Sequence, residues 1–534
     1  MEDNPSLTTY RDFLNFRDLA WRWDPRTRAC QPALTLDEAS NRTVVRPMSL
    51  VELLQKADSV IALAGATPGE NVAFFEYLTA ILYAAGHVPA TPEEWVRWVE
   101  RRESLEPAAD WLAREPDDHW DLFHPQRPLG QNAQLAPFLD QHGVGPAQIV
   151  IERAGDYNQF FDKVHLHDPD PVPPDVAFRA MLTQHVYGLG GRAMAKANWL
   201  GPQLTYQAVG RLSARIRVIA MGPTLGDTLR LNLVPGRDRR ATFNYSWTDG
   251  RRARRTFRSG KKPRLPDGRA DLHSFLGRSI LLRPVLVGRR LMVDRVLMAA
   301  GELLDSLPPA YLQDAVLTRA GKTEGPLRPS ADRAVWREAH ALYAAAADRT
   351  KGADLYDRLA NLDGRKVDLW TVGLISRKSA ATTWVSESFP YTPGLEVDLK
   401  WAADAGSAMC EYASKALYAA AATARDEVYP NAKPADRAKQ IVRFNGAREL
   451  WAGGAEPFHA LIDAVDQGTR PDDGPLTAFG QEIRKLAFGA LRQRLASLPS
   501  SGGGMRARVQ AERQLKKQLS SARCPDYLRG DADE

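Results

Sequence analysis

The chain has 534 residues, 44% of them hydrophobic and 25% charged, enough to bury more than one core without disulfide or metal staples. Its 36 prolines and 39 glycines are spread along the whole length, which excludes a largely disordered chain. The formal net charge of +6 is regional: residues 1–170 hold 15 basic and 27 acidic side chains, whereas residues 171–300 hold 24 and 7.

Segregation of this size is what a polyanion-binding surface requires, because Lys and Arg that displace condensed counterions supply most sequence-independent affinity. Residues 171–300 are therefore the first place to look for a nucleic-acid surface. Cys30, Cys410 and Cys524 lie far apart, with no second Cys or His at ligand spacing, so neither a zinc ribbon nor a disulfide framework is encoded. The chain starts with Glu2 and Asp3 in place of a basic leader. Its longest apolar stretch, 72–86, is interrupted by Glu76 and falls short of the ~18 residues of a membrane span. A cytoplasmic protein without a membrane role is expected.

In chain order, the spacing predicts helices over 49–57, 71–85 and 92–102, the last preceded by Thr91 with Glu94 three residues on, the form of a capping box. Strand-like runs occupy 148–152, 214–220, 228–233, 279–286 and 369–375, separated by turns bearing Gly or Pro. Without a regular alternation of strand and helix, this mixture predicts an irregular α+β domain. From Trp401 onward, Ala-rich amphipathic segments at 401–428, 434–466, 475–497 and 505–522 predict an antiparallel four-helix bundle. The expected organisation is a large mixed α+β domain over 1–395, with its basic region at 171–300, then a bundle over 400–530.

Eight of the fourteen residues in 251–264 are basic: Arg251, Arg252, Arg254, Arg255, Arg258, Lys261, Lys262 and Arg264. No acid accompanies them, and Phe257 sits inside the run. Such a run cannot be buried, and its plain alternative is a solvated loop or hairpin. The surrounding Arg211, Arg215, Arg217, Arg237, Arg239 and Arg240 tip the reading toward phosphate binding. The tract from Tyr187 to Arg192 (YGLGGR) lacks phosphate-loop spacing. Its three glycines, beside Arg192 and close to Lys196, would let backbone approach a groove or a phosphate, because glycine has no Cβ to clash. A flexible turn is the alternative. His165 and His167, beside Asp162 and Asp168, are too weak a pattern to imply a metal, and no cofactor is expected. No HExxH, GxSxG or Cys–His pairing argues for catalysis.

Several segments, taken in order, resemble the large subunit of the type I-E CRISPR Cascade complex, the CasA family. They are MSLVELLQKA (48–57), DLFHPQRPLGQ (121–131), NQFFDKV (158–164), GPTLGDTLRLNLVP (222–235), GRADLHSFLGRSILL (268–282), GPLRPSADRAVWR (325–337) and ELWAGGAEPFHALI (449–462). Their collinearity carries the resemblance. It implies a non-catalytic subunit of a complex in which a guide RNA reads most of the target and protein reads a short duplex motif beside it. In that family a glycine-rich loop and a lysine reach into the minor groove, and a wedge hairpin splits the first base pairs.

By position, the resemblance assigns the loop to Gly188, Gly190 and Gly191, with Arg192 and Lys196 beside it, and the lysine to Lys322. It assigns the wedge to Arg377, Lys378 and Ser379, where the family's usual glutamine is missing. Phe161 and Lys163 would contribute from a loop near the DNA, with Phe160 and Phe161 as ordinary core aromatics the alternative. Trp336 and Trp451 are assigned to packing. The implied partners are the 5′ handle of the guide RNA, double-stranded target DNA, the backbone and small subunits, and a helicase-nuclease effector. Two other readings stand beside this one: a stand-alone nucleic-acid-modifying enzyme using acidic residues of 1–170, and a purely structural scaffold.

Overall fold

The computed structural model describes residues 9–16, 21–37, 40–153, 170–192, 206–236, 242–247, 263–320, 323–330, 334–347, 354–362, 364–377, 380–431, 433 and 436–529. The chain divides into two compact units, one formed by 1–333, 352–361 and 368–388, the other by 334–351, 362–367 and 389–534.

The first unit mixes strands and helices, as expected. β1 (Gln31–Asp37), β2 (Arg42–Met48) and β3 (Val60–Leu63) form an antiparallel sheet in the order β2-β1-β3. Helix Leu50–Gln55 opens on a full capping box: the Glu52 amide donates to Ser49 Oγ at 3.3 Å and the Ser49 amide to Glu52 Oε2 at 2.9 Å. Helix Pro92–Arg101 has Thr91 as its cap, but the Glu94 carboxylate accepts from the amide of Ala90, one residue earlier than the box pattern predicts.

Helix Pro68–Ala84 is buried on nearly every side and packs against helix Pro174–Tyr187. The aromatic cluster between them explains why. Phe178 meets Trp23 and Tyr77, each at 5.7 Å between ring centroids, and Tyr77 continues to Phe243 at 5.4 Å. Edge-on and tilted rings of this kind add to the area they bury.

After the second of these helices, the short strands β4 (Gly191–Arg192) and β5 (Tyr206–Gln207) pair antiparallel. β6 (Arg217–Met221) joins a later hairpin. β7 (Arg278–Val287) and β8 (Arg290–Ala300) form a two-stranded ribbon, and β9 (Leu317–Ala320) pairs with β10 (Thr323–Pro326). β11 (Val367–Arg377) and β12 (Ala380–Tyr391) complete a sheet in the order β12-β11-β6. The expected strands at 214–220, 279–286 and 369–375 are thus β6, β7 and β11.

Two expected strands are not strands. Residues 148–152 overlap a 3-10 turn, Pro146–Ile149, and 228–232 fall in helix Leu225–Asn232, with Leu233 as its C-cap. The alternating leucines at 229, 231 and 233 fit a strand, but a short apolar run cannot distinguish strand from buried helix. Here the cap decides: the Thr224 side chain accepts from the Asp227 amide, and the Asn232 side chain donates back to the Thr228 carbonyl at 2.7 Å.

The second unit is helical. Helix Glu396–Val428 presents a stripe of small residues, Ala402, Ala403, Gly406, Ala413 and Ala416, and packs against helices Pro475–Leu495 and Gly502–Leu519. The expected single helix over 434–466 is three: Arg437–Phe444, Ala447–Gly453 and Ala455–Asp466. The breaks fall at glycines used for close approach. A Cβ on Gly446 would come within 2.9 Å of the Ala490 backbone. Trp336 packs on Trp451 at 5.4 Å and on Phe458 at 5.0 Å, and the Arg337 guanidinium lies 3.5 Å above the Trp451 ring. No helix among the described residues is long and apolar enough to cross a membrane.

Candidate nucleic-acid interface

Helix 174–187 ends where the glycine tract begins, and packing forces the break. A Cβ on Gly188 would sit 2.5 Å from the Gln184 carbonyl and 2.6 Å from Arg278 Cζ. Gly191 has φ +148°, a conformation that L side chains rarely adopt. Internal donors take up three successive carbonyls: Ser213 Oγ donates to Tyr187 O, the Gly210 amide to Gly188 O at 2.7 Å, and Arg278 to Leu189 O at 2.9 Å. Among the described residues, the amides of Leu189 and Gly190 meet no acceptor.

Arg278 itself is 2% exposed. Its guanidinium donates to the carbonyls of Gly277 and Leu189 and meets no carboxylate among the described residues, and its Nε is buried without a hydrogen-bond partner. Burial lowers its pKa to about 10, so the group stays charged at neutral pH. Beside it, His185 places Nε2 2.9 Å from the Gly130 carbonyl and accepts the Arg278 amide at Nδ1. Those partners fix the tautomer with the proton on Nε2. Burial, above all, pushes its pKa down to about 4.

The β11–β12 hairpin reaches the same place through Trp384. Its indole Nε1 donates to Glu152 Oε1 at 2.6 Å, and its ring stands edge-on to Tyr187 at 4.8 Å. A Cβ on Gly69 would lie 1.9 Å from the same ring. The end of the glycine-loop helix, the hairpin whose strands end at Arg377 and resume at Ala380, and Glu152, two residues ahead of 154–169, are therefore locked together. Arg278 falls within the family segment 268–282 but has no assigned role there, and Trp384 lies in none of the segments singled out from the sequence.

Gly188, Gly190, Gly191 and Arg264 are the expected site residues whose surroundings are described. Arg192 and Arg377 are described only as strand residues of β4 and β11. Phe161, Lys163, Lys196, Lys322, Lys378, Ser379, Arg251, Arg252, Arg254, Arg255, Arg258, Lys261 and Lys262 lie outside the described residues, as do His165 and His167. Among the described residues there is no group of three or more His, Cys, Asp or Glu placed to hold a metal.

Of the arginines read as extending the basic surface, Arg237, Arg239 and Arg240 lie outside the described residues, and Arg211, Arg215 and Arg217 require a correction. Arg211 and Arg217 both pair with Glu76, a fully buried carboxylate in helix 68–84, and His273 Nδ1 approaches the same group at 2.5 Å. Arg215 and Arg217 share Asp314 at 2.7 and 2.9 Å. Burial by itself would raise the pKa values of Glu76 and Asp314. For Glu76 the Arg211, His273 and Arg217 charges overcome it, and for Asp314 the Arg215 and Arg217 charges do, so both carboxyls sit well below the ordinary range.

Similar pairs join Arg230 to Asp58 at 2.6 Å and Arg179 to Glu70 at 2.6 Å. Arg264 is likewise engaged: it pairs with Asp271 at 2.5 Å and Glu302 at 2.7 Å, and lies 5.0 Å from the Phe275 ring centroid. Part of the opposition between the acidic 1–170 and the basic 171–300 is thus settled inside the protein.

A mixed unit followed by a helical unit is the fold shared with solved CasA and Cse1 structures and with a chain of a CRISPR RNA-guided surveillance complex. A family model for CRISPR-associated protein Cse1 matches residues 37–490, and the chain belongs to that family. Among solved structures, CasA of Thermus thermophilus is similar with a TM-score of 0.76 at 18% identity, covering 93% of this chain and 99% of that one. Cse1 of Acidimicrobium ferrooxidans gives 0.72 at 19%, covering 95% and 99%. A chain of a CRISPR RNA-guided surveillance complex gives 0.69 at 17%, covering 93% and 100%. No curated protein sequence matches the chain.

Proposed function

We propose that this chain is the large, non-catalytic subunit of an RNA-guided type I-E surveillance complex. In this reading it contacts the backbone and small subunits and the 5′ handle of the guide RNA, and reads a short motif in duplex DNA beside the target. It helps to open the strands there and then recruits a helicase-nuclease. The family match over residues 37–490 carries the reading. The loop at 188–191 supports it, because its glycines let backbone approach a duplex closely. Gly188, Gly190, Gly191, Arg192, Lys196 and Lys322 would face the motif. Arg377, Lys378 and Ser379 would form the wedge, Phe161 and Lys163 would lie near the DNA, and the basic residues of 251–262 would follow the phosphates.

The test is co-purification of the chain with its complex, followed by sequencing of bound RNA and duplex binding on targets with randomised flanks. A guide-sized RNA and a flank preference that Lys322→Ala weakens are the expected result. Nucleic-acid turnover by the isolated chain with a divalent metal, or binding indifferent to the flank, would overturn it.

A further inference from the structure

A buried cation without an anionic partner is costly, and proteins keep one where something supplies the missing charge. Arg278 is such a cation, and it lies directly beneath the glycine loop. Its guanidinium stands where a side chain on Gly188 would be, and it holds the Leu189 carbonyl. Ser213 and Gly210 hold the two preceding carbonyls. Oxygens that would repel an anion are therefore tied into the protein. The next two amides, of Leu189 and Gly190, have no acceptor among the described residues, and consecutive free amides over a positive charge are the ingredients of an anion-binding concavity.

From this we infer that the 188–191 loop takes a phosphate group, a phosphodiester of the duplex, on the amides of Leu189 and Gly190, with Arg278 as the positioning residue and counter-charge beneath it. The inference rests on the reading that this loop meets DNA, and deepens it: the loop's ligand is the backbone of the duplex, in addition to any base edge. Arg278 acts through the loop and through space, because its own atoms are almost wholly covered.

The experiment measures duplex binding by the assembled complex as a function of salt. Arg278→Gln should weaken binding about tenfold and reduce the slope of log K against log salt by about one, the signature of one lost phosphate neutralisation. Arg278→Lys should keep the slope. In parallel, wild-type complex is tested on duplexes in which single phosphates near the motif are replaced by uncharged methylphosphonates. One position should weaken binding about tenfold, and Arg278→Gln should add little at that position.

If no position is sensitive, or if Arg278→Gln lowers only thermal stability and leaves the slope unchanged, the proposal is overturned. The methylphosphonate scan decides the matter even if Arg278→Gln fails to fold. Gly190→Asp separates the two levels. If this variant binds duplex as wild type does, the loop does not meet DNA and the reading itself fails. If it abolishes binding while Arg278→Gln has no effect, the phosphate proposal alone fails.

Discussion

The indole of Trp384 donates to the Glu152 carboxylate at 2.6 Å across 232 residues of sequence. The contact fastens the β11–β12 hairpin to the chain just ahead of 154–169. Trp384→Phe keeps an aromatic ring against Tyr187 and removes the N–H, so a loss of about 1.5–3 kcal/mol is expected in chemical denaturation, the usual scale for a hydrogen bond to a charged group. Gly69→Ala forces a methyl into the same ring and should cost about 1–3 kcal/mol. In the assembled complex, both should loosen motif preference.

Glu76 accepts from Arg211 and Arg217 and meets His273 inside the first unit. Glu76→Gln leaves buried guanidinium charge without its main anion, and the expected cost is about 3–5 kcal/mol. The folded pKa values of Glu76 and Asp314 are depressed, so the unfolded chain takes up their protons first as pH falls. Their contribution to stability is complete above the ordinary carboxylate range near pH 4 and is lost as pH drops below it. Urea titrations from pH 6 to pH 2 should show this loss in wild type and less of it in Glu76→Gln.

His185 titrates in the opposite chemical sense but gives the same sign. Its folded pKa of about 4 lies below the usual histidine value near 6.5, so the unfolded chain binds more protons between those limits. Stability is therefore full above about pH 6.5 and falls by roughly 3 kcal/mol toward pH 4. Histidine NMR should find this imidazole neutral at pH 6, and a charged ring at that pH would contradict the geometry with Gly130.

The seven basic residues of 251–262 and Arg264 should behave differently, although they adjoin in sequence. Neutralising Arg251, Arg252, Arg254, Arg255, Arg258, Lys261 and Lys262 together should weaken duplex binding on all sequences alike and lower the salt slope by up to about 6. Arg264→Gln should leave that slope unchanged and cost about 2–3 kcal/mol of stability, because its partners Asp271 and Glu302 lose their cation.

A substitution at the glycine turn tests the packing directly. Gly188→Ala places a methyl 2.6 Å from Arg278 Cζ and 2.5 Å from the Gln184 carbonyl. A loss of about 1–3 kcal/mol is expected, read by thermal denaturation.

The sequence by itself determined what local rules govern. Thr91 starts its helix as the sequence indicates, because a cap bonds within three residues of itself, and Ser49 and Thr67 do the same for the two helices before it, the second of which begins at Pro68, three residues ahead of the expected start. The mixture of helical and strand-like patterning without regular alternation, followed by Ala-rich amphipathic segments, carried the fold class. What lay beyond the sequence is everything settled by partners far along the chain. The leucines at 229, 231 and 233 read equally as strand or helix. Arg211, Arg215 and Arg217 counted as surface charge until Glu76, 135 residues from Arg211, and Asp314 proved to be their buried partners, Glu76 for Arg211 and Arg217 and Asp314 for Arg215 and Arg217. Arg278 sits in the family segment 268–282 without a role there, Trp384 sits in none, and only the packing of β7 and β12 onto the end of helix 174–187 brings them to the glycine loop. Charge counts are one-dimensional. Whether a guanidinium faces a carboxylate, a carbonyl or water depends on the burial of both partners, and tertiary structure alone decides that.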